Sequence, residues 1–132
     1  DAFADKHALI PFRTNSKPEV SWDIDIPFKE RIQPPLEEWL RGFADAEFVL
    51  TDSFHACVFS ILFHKPFGVF VNLERGLSRI ESLLRPLGLM DRCIFDAPVD
   101  LDRPIDWELI DNVLMQKAES SMEFLKQSLN NK

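Results

Sequence analysis

The stretch Glu47-Phe48-Val49-Leu50-Thr51-Asp52-Ser53-Phe54-His55-Ala56-Cys57-Val58-Phe59-Ser60 decides how this chain is read. Residues 47–50 have strand character, and a second apolar segment runs from Phe54 to Phe63. Between them stand Thr51, Asp52 and Ser53, the residue types that cap helix N-termini. The pattern predicts strand, short turn and helix, with His55 in the helix's first turn. The first N–H groups of a helix have no intrahelical partner and point outward, which favours an anion. An imidazole beside them adds a proton donor or a second positive charge. A phosphate or carboxylate held at this turn would meet a group able to move a proton. The same residues also suit a structural turn in which His55 only packs or caps.

Upstream, Pro34-Pro35 opens a helix, because proline suits the first turn and Glu37 and Glu38 complement its positive end. Leu36, Trp39, Leu40 and Phe43 fall at helical spacing and predict one buried stripe. Residues 1–33 read as a poorly defined arm or edge strand, and 34–132 as the domain proper. Within the arm, residues 8–12 suit a short strand, 14–18 carry turn chemistry, and 21–26 alternate as an edge strand does. His7 is expected to be solvated.

Downstream, the helix that starts at Phe54 is apolar over most of its circumference and is expected to be covered on both sides. His64-Lys65-Pro66 ends it, with His64 suited to the negative end of the dipole. Residues 67–71 form a second strand, continuously apolar as parallel-sheet strands are. Residues 76–85 make a third helix with Leu77, Ile80, Leu83, Leu84 and then Leu87 inward, stopped by Pro86 and Gly88. Residues 92–95 read as a short strand, and 96–104 as an acidic, proline-containing linker. Asp106 caps a last long helix whose stripe from Leu109 to Leu129 is expected to pack across the sheet or, in a longer parent protein, to reach back to another half. Alternating strands and helices predict an α/β domain with a parallel sheet. Ligands of such sheets sit beyond the carboxyl ends of the strands. That rule places Thr51, Asp52, Ser53 and His55 at a site, and Asn72 and Arg75 after the next strand.

The 132 residues fit one domain with a single core. A formal net charge of −7 argues against nonspecific nucleic-acid binding and against a polybasic membrane patch. The two cysteines, Cys57 and Cys93, each lie in an apolar run and form neither a disulfide framework nor a CxxC pair, so a reducing, cytoplasmic location is expected. No apolar run is long enough to cross a bilayer, so no transmembrane segment is expected. The three histidines show no metal-ligand spacing, no glycine-rich phosphate loop is present, and Ser53 lacks a nucleophile elbow. Neither a metal nor a cofactor is expected.

An ordered set of motifs carries a resemblance. Residues 38–43 (Glu-Trp-Leu-Arg-Gly-Phe), 46–55 (Ala-Glu-Phe-Val-Leu-Thr-Asp-Ser-Phe-His), 65–67 (Lys-Pro-Phe) and 72–79 (Asn-Leu-Glu-Arg-Gly-Leu-Ser-Arg) resemble the C-terminal half of the polysaccharide pyruvyl transferases over roughly residues 30 to 95. Proteins of that family are about twice as long or more. The resemblance therefore implies a Rossmann-like three-layer domain, one half of a GT-B-like architecture, cut from a longer protein whose N-terminal half is missing. A start at Asp1 without methionine agrees with an excised piece.

What the resemblance implies in chemistry is transfer of the pyruvyl group of phosphoenolpyruvate onto two hydroxyls of a glycan or lipid-linked sugar, giving a cyclic ketal. His55 is implied as the catalytic or donor-binding histidine. Ser53 stands where several family members have arginine, which removes one positive charge from the expected anion site. Asp52 would orient His55 or, better, cap the helix. Arg75 and Arg79 would compensate for the absent charge, since guanidinium forks match phosphate and carboxylate; their structural alternative is pairing with Glu74 or Glu81. Two other functions fit the fold. One is a GT-B-type glycosyltransferase half binding a nucleotide sugar at the same helix start. The other is a non-catalytic α/β interaction module.

Overall fold

The structure is a computed structural model that describes residues 2–12, 35–71, 76–95 and 99–130. It divides into two compact units, Asp1–Ala46 and Glu47–Lys132.

In the first unit, α1 spans Ala2–His7 and α2 spans Leu36–Ala44. The sequence suggested a strand at residues 8–12; none forms there, and Leu9 N–H instead bonds back to the Ala4 carbonyl at 2.9 Å, closing α1. His7 is not simply solvated either: its ring lies 4.5 Å from that of Phe3, one turn earlier. The turn and edge strand read at 14–18 and 21–26 lie outside the described residues. Pro35 takes the N-cap position of α2, and Glu37 and Glu38 occupy the first turn as expected. Phe43 is buried and meets Trp39 edge-on at 4.7 Å, but Leu36 is 66% exposed. The predicted stripe is real only toward the helix end, because Leu36 is the first helical residue, before the turn that could cover it.

The second unit holds three parallel strands in the order β1-β2-β3: β1 Val49–Thr51, β2 Phe67–Phe70 and β3 Cys93–Ile94. Val49 is in register with Phe67, and Val69 with Cys93. Between β1 and β2 runs α3, Phe54–Leu62; between β2 and β3 runs α4, Leu77–Leu84, followed by 3-10 turns at Arg85–Leu87 and Met90–Arg92. The core gathers Cys57 and Ile61 of α3, Phe67 and Val69 of β2, Ile80 and Leu84 of α4, Leu87, Leu89, Cys93 and Ile110. Cys57, Ile61, Ile80, Leu84, Leu87 and Ile110 fall on the helical stripes read from the sequence, and Phe67 and Val69 belong to its continuously apolar strand; Leu89 was not singled out. Gly68 leaves room on the sheet: a Cβ there would sit 3.0 Å from side-chain atoms of Ile94 and Leu101.

Two expectations fail in this unit. α3 is not fully covered all round: Ala56, Cys57, Ser60 and Ile61 are buried and Phe54, Val58 and Phe59 half-buried, whereas Leu62 is 62% exposed. The last helix, α5 (Trp107–Asn130), does start as read, with Asp106 accepting the Leu109 N–H at 3.0 Å. It packs through its first two turns alone, by Trp107, Ile110, Val113 and Leu114. Every residue from Met115 to Asn130 is exposed, so its stripe does not cross the sheet. The sheet is too narrow for it: at 1.5 Å per residue the helix is about 36 Å long, against roughly 10 Å for three strands.

Candidate functional site

β1 ends at Thr51 and α3 begins at Phe54, so residues 52 and 53 form the turn at a strand's carboxyl end. Ser53 holds the N-cap position with extended backbone (φ −97°, ψ 129°), yet no side chain caps the helix. The Thr51 hydroxyl oxygen accepts the Ser53 N–H at 3.0 Å and fixes the turn from the strand side. The expectation that Asp52 caps α3 is therefore corrected: Asp52 lies one residue before the cap and is exposed. The carbonyl of Ser53 accepts the Cys57 N–H at 3.1 Å, closing the first turn, and the N–H groups of Phe54, His55 and Ala56 precede that bond. They are the ones a helix leaves open to an anion.

His55 is exposed at the second helical position, and its ring stands edge-on to Phe54 with centroids 5.7 Å apart. No hydrogen bond joins its imidazole to another described residue. The face of the same Phe54 ring carries Arg79, whose guanidinium carbon is 4.9 Å from the ring centroid. Arg79 belongs to the first turn of α4, the positive end of that helix, where a cation is disfavoured. No carboxylate among the described residues pairs with it. Glu81, one alternative partner, is taken instead by Arg85 one turn later. The starts of α3 and α4 thus meet at one aromatic ring, and each lacks a side-chain cap. Asn72, Glu74 and Arg75 lie outside the described residues.

The opposite end of α3 is closed. The His64 N–H bonds to the Ile61 carbonyl at 3.1 Å and the Lys65 N–H to that of Ser60 at 2.8 Å. This is a Schellman ending, with His64 in the left-handed conformation that glycine usually supplies (φ 52°). Its Nε2 lies 3.0 Å from Asp111 Oδ1, and its ring stacks on Trp107 at 5.1 Å. His64 ties α3 to the start of α5, a structural role different from the dipole contact its position suggested.

Burial pushes the Cys57 thiol up from 9.0 to about 12, with the neighbouring Cys93 adding to the rise. Burial, then the charges of Asp91 and Glu81, raises Cys93 as well. Both cysteines are free, protonated core residues rather than nucleophiles. Arg92 went unnoticed in the sequence. It is 1% exposed, and its guanidinium donates to the carbonyls of Leu101 (3.2 Å) and Arg103 (2.6 Å), pinning the segment that leads to α5. Phe54 was also missed as a site residue, and its contact with Arg79 spans 25 positions, beyond any local pattern. Among the described residues no cluster of three or more His, Cys, Asp or Glu side chains could hold a metal.

A family model described as polysaccharide pyruvyl transferase matches residues 6–74, more than half of the chain. The chain belongs to this family. Polysaccharide pyruvyl transfer is accordingly its activity at family level. No curated protein and no solved structure matches it. The pyruvyl transferase match reaches further toward the N-terminus than the resemblance read from motifs, and stops before Arg75 and Arg79. Thr51, Asp52, Ser53, Phe54 and His55 all lie inside it. Among the described residues no helix of this pyruvyl transferase is long and apolar enough to cross a membrane.

Proposed function

We propose that this chain forms the donor-binding side of a ketal pyruvyl transferase that uses phosphoenolpyruvate, with the α3 start as the anion site. The observation that carries the reading is the meeting of His55, Arg79 and an uncapped helix N-terminus around Phe54, directly after a parallel strand. Phosphoenolpyruvate presents a phosphate and a carboxylate on one small skeleton. The α3 N–H groups and the Arg79 fork each match one such group. They supply the positive charge that Ser53 does not.

His55 is the group placed to move a proton. Adding a proton to the methylene carbon of the donor leaves a cation at C2 that the adjacent oxygen stabilises. One sugar hydroxyl attacks C2 and loses its proton. The C2–O bond to phosphate breaks, and the second hydroxyl closes the ketal, losing its own proton. The proton taken up and the two released leave a cyclic ketal and inorganic phosphate in balance. An imidazole can serve as both acid and base in such a sequence.

In this reading the three-stranded unit is the sheet of a Rossmann-like domain, one half of a GT-B-like protein, and the acceptor enters from the other half. The test uses the complete protein with phosphoenolpyruvate and a panel of glycan and lipid-linked acceptors. Release of phosphate together with an acid-labile pyruvate ketal on the acceptor supports the reading. Turnover of a nucleotide sugar, with phosphoenolpyruvate untouched, contradicts it.

A further inference from the structure

Phe54 lies beside the proposed chemistry without any polar group of its own, and we infer that it is the positioning residue that aims Arg79 at the α3 start. The inference rests on the reading of that start as an anion site. Three observations carry it. First, Arg79 occupies the first turn of α4, where the helix dipole opposes a cation, so the local backbone does not hold it there. Second, the Phe54 ring face, 4.9 Å from the guanidinium carbon, is the partner the structure gives that guanidinium among the described residues. Third, Phe54 is the first helical residue of α3 and its ring also meets His55 at 5.7 Å. A flat ring at that position restrains a long, rotamer-rich arginine beside the imidazole and the open N–H groups.

A ring face suits this task better than a carboxylate would. It attracts the guanidinium without consuming its N–H donors, which lie in the guanidinium plane and stay available to a bidentate anion. A carboxylate would neutralise the charge and compete with the donor for the same fork. Holding the side chain in place before the donor arrives also lowers the ordering cost of binding.

The ligand-free arm of the test reads the side chain directly. In the wild-type chain the ring current of Phe54 shifts the Arg79 Hδ protons upfield; in Phe54→Leu that shift vanishes, and in Phe54→Tyr it remains. The functional arm uses the complete enzyme with phosphoenolpyruvate. Loss of the ring should raise the donor KM roughly three- to tenfold, the range of a cation–π contact at a partly exposed site, with the acceptor KM unchanged. Phe54→Tyr should restore most of the donor affinity. In an Arg79→Ala background, Phe54→Leu should add less than about twofold. A donor KM that rises as much in that background as in wild type overturns the inference, because Phe54 would then act without Arg79. An unchanged donor KM in Phe54→Leu, with Arg79→Ala still raising it, overturns the inference and leaves the site reading intact. An unchanged donor KM in Arg79→Ala itself removes Arg79 from the site and the inference with it. Should Phe54→Leu fold poorly, Phe54→Met keeps the volume, removes the ring and is judged by the same outcomes.

Discussion

The two ends of α3 carry one histidine each, and they are built in opposite ways. At the C-terminal end the N–H groups of Phe63, His64 and Lys65 all bond back to helix carbonyls, and His64 is held by Asp111, Trp107 and a left-handed backbone. At the N-terminal end no side chain caps the helix, and among the described residues the His55 ring makes an edge-on contact with Phe54 and no hydrogen bond. A satisfied polar group contributes to the fold; an unsatisfied one at a strand's carboxyl end is available to a ligand. The difference separates a structural histidine from a functional candidate within one helix, with no other protein needed for the comparison.

The largest expected effect breaks the comparison at its two histidines. In the complete enzyme, His55→Ala should lower turnover by about 10²–10⁴-fold, the usual range for a general acid–base group. Its thermal midpoint should hold, because alanine is the better helix former. His64→Ala should do the reverse, lowering the midpoint and leaving turnover within about threefold. Steady-state kinetics and calorimetry on the two variants decide it, and equal kinetic losses in both would erase the distinction.

Arg79 sharpens the open end. Replacement by alanine should raise the donor KM by about 10-fold or more, in line with a hydrogen bond to a charged group of roughly 1.5–3 kcal/mol. The acceptor KM should stay put. Lysine should recover part of the loss, since a point charge cannot reproduce the fork. An unchanged donor KM would remove Arg79 from the site and leave the anion to the α3 N–H groups and to other residues.

The smallest effect concerns the buried middle of the helix. Cys57 is protonated in the fold up to about 12, whereas an unfolded thiol ionises near 9.0. The unfolded state therefore loses its proton first as pH rises. Stability contributed by this group is complete below about pH 9 and falls between 9.0 and 12, by about 1.4 kcal/mol per pH unit at most. Denaturant titrations at pH 8 and pH 10 should show a drop that Cys57→Ala reduces. Identical drops in the two proteins would show that Cys57 ionises freely in the fold.

Much of this was legible in advance, for identifiable reasons. The strand, turn and helix around Thr51–Phe54 announce themselves by apolar periodicity and turn residues, so the element order and the position of His55 followed directly. Partnerships were a different matter. Which of Thr51, Asp52 and Ser53 would close the turn is a matter of ångströms, and the answer was the Thr51 hydroxyl acting on the Ser53 N–H. The buried Arg92 reads as a surface charge until the carbonyls of Leu101 and Arg103 are seen around it. The stripe of α5 looked like core because periodicity reports amphipathicity, not what covers it. The contact of Arg79 with Phe54 depends on how two helices lie on one sheet, which no local pattern encodes.

The comparison of the two ends is tested most directly by watching both histidines while the donor binds. In the complete enzyme, with imidazole-labelled histidine and resonances assigned through His55→Gln and His64→Gln, phosphoenolpyruvate is titrated to saturation. The His55 ring signals should move along a binding curve while those of His64 stay fixed. Saturation by phosphoenolpyruvate with the His55 signals unmoved would contradict it.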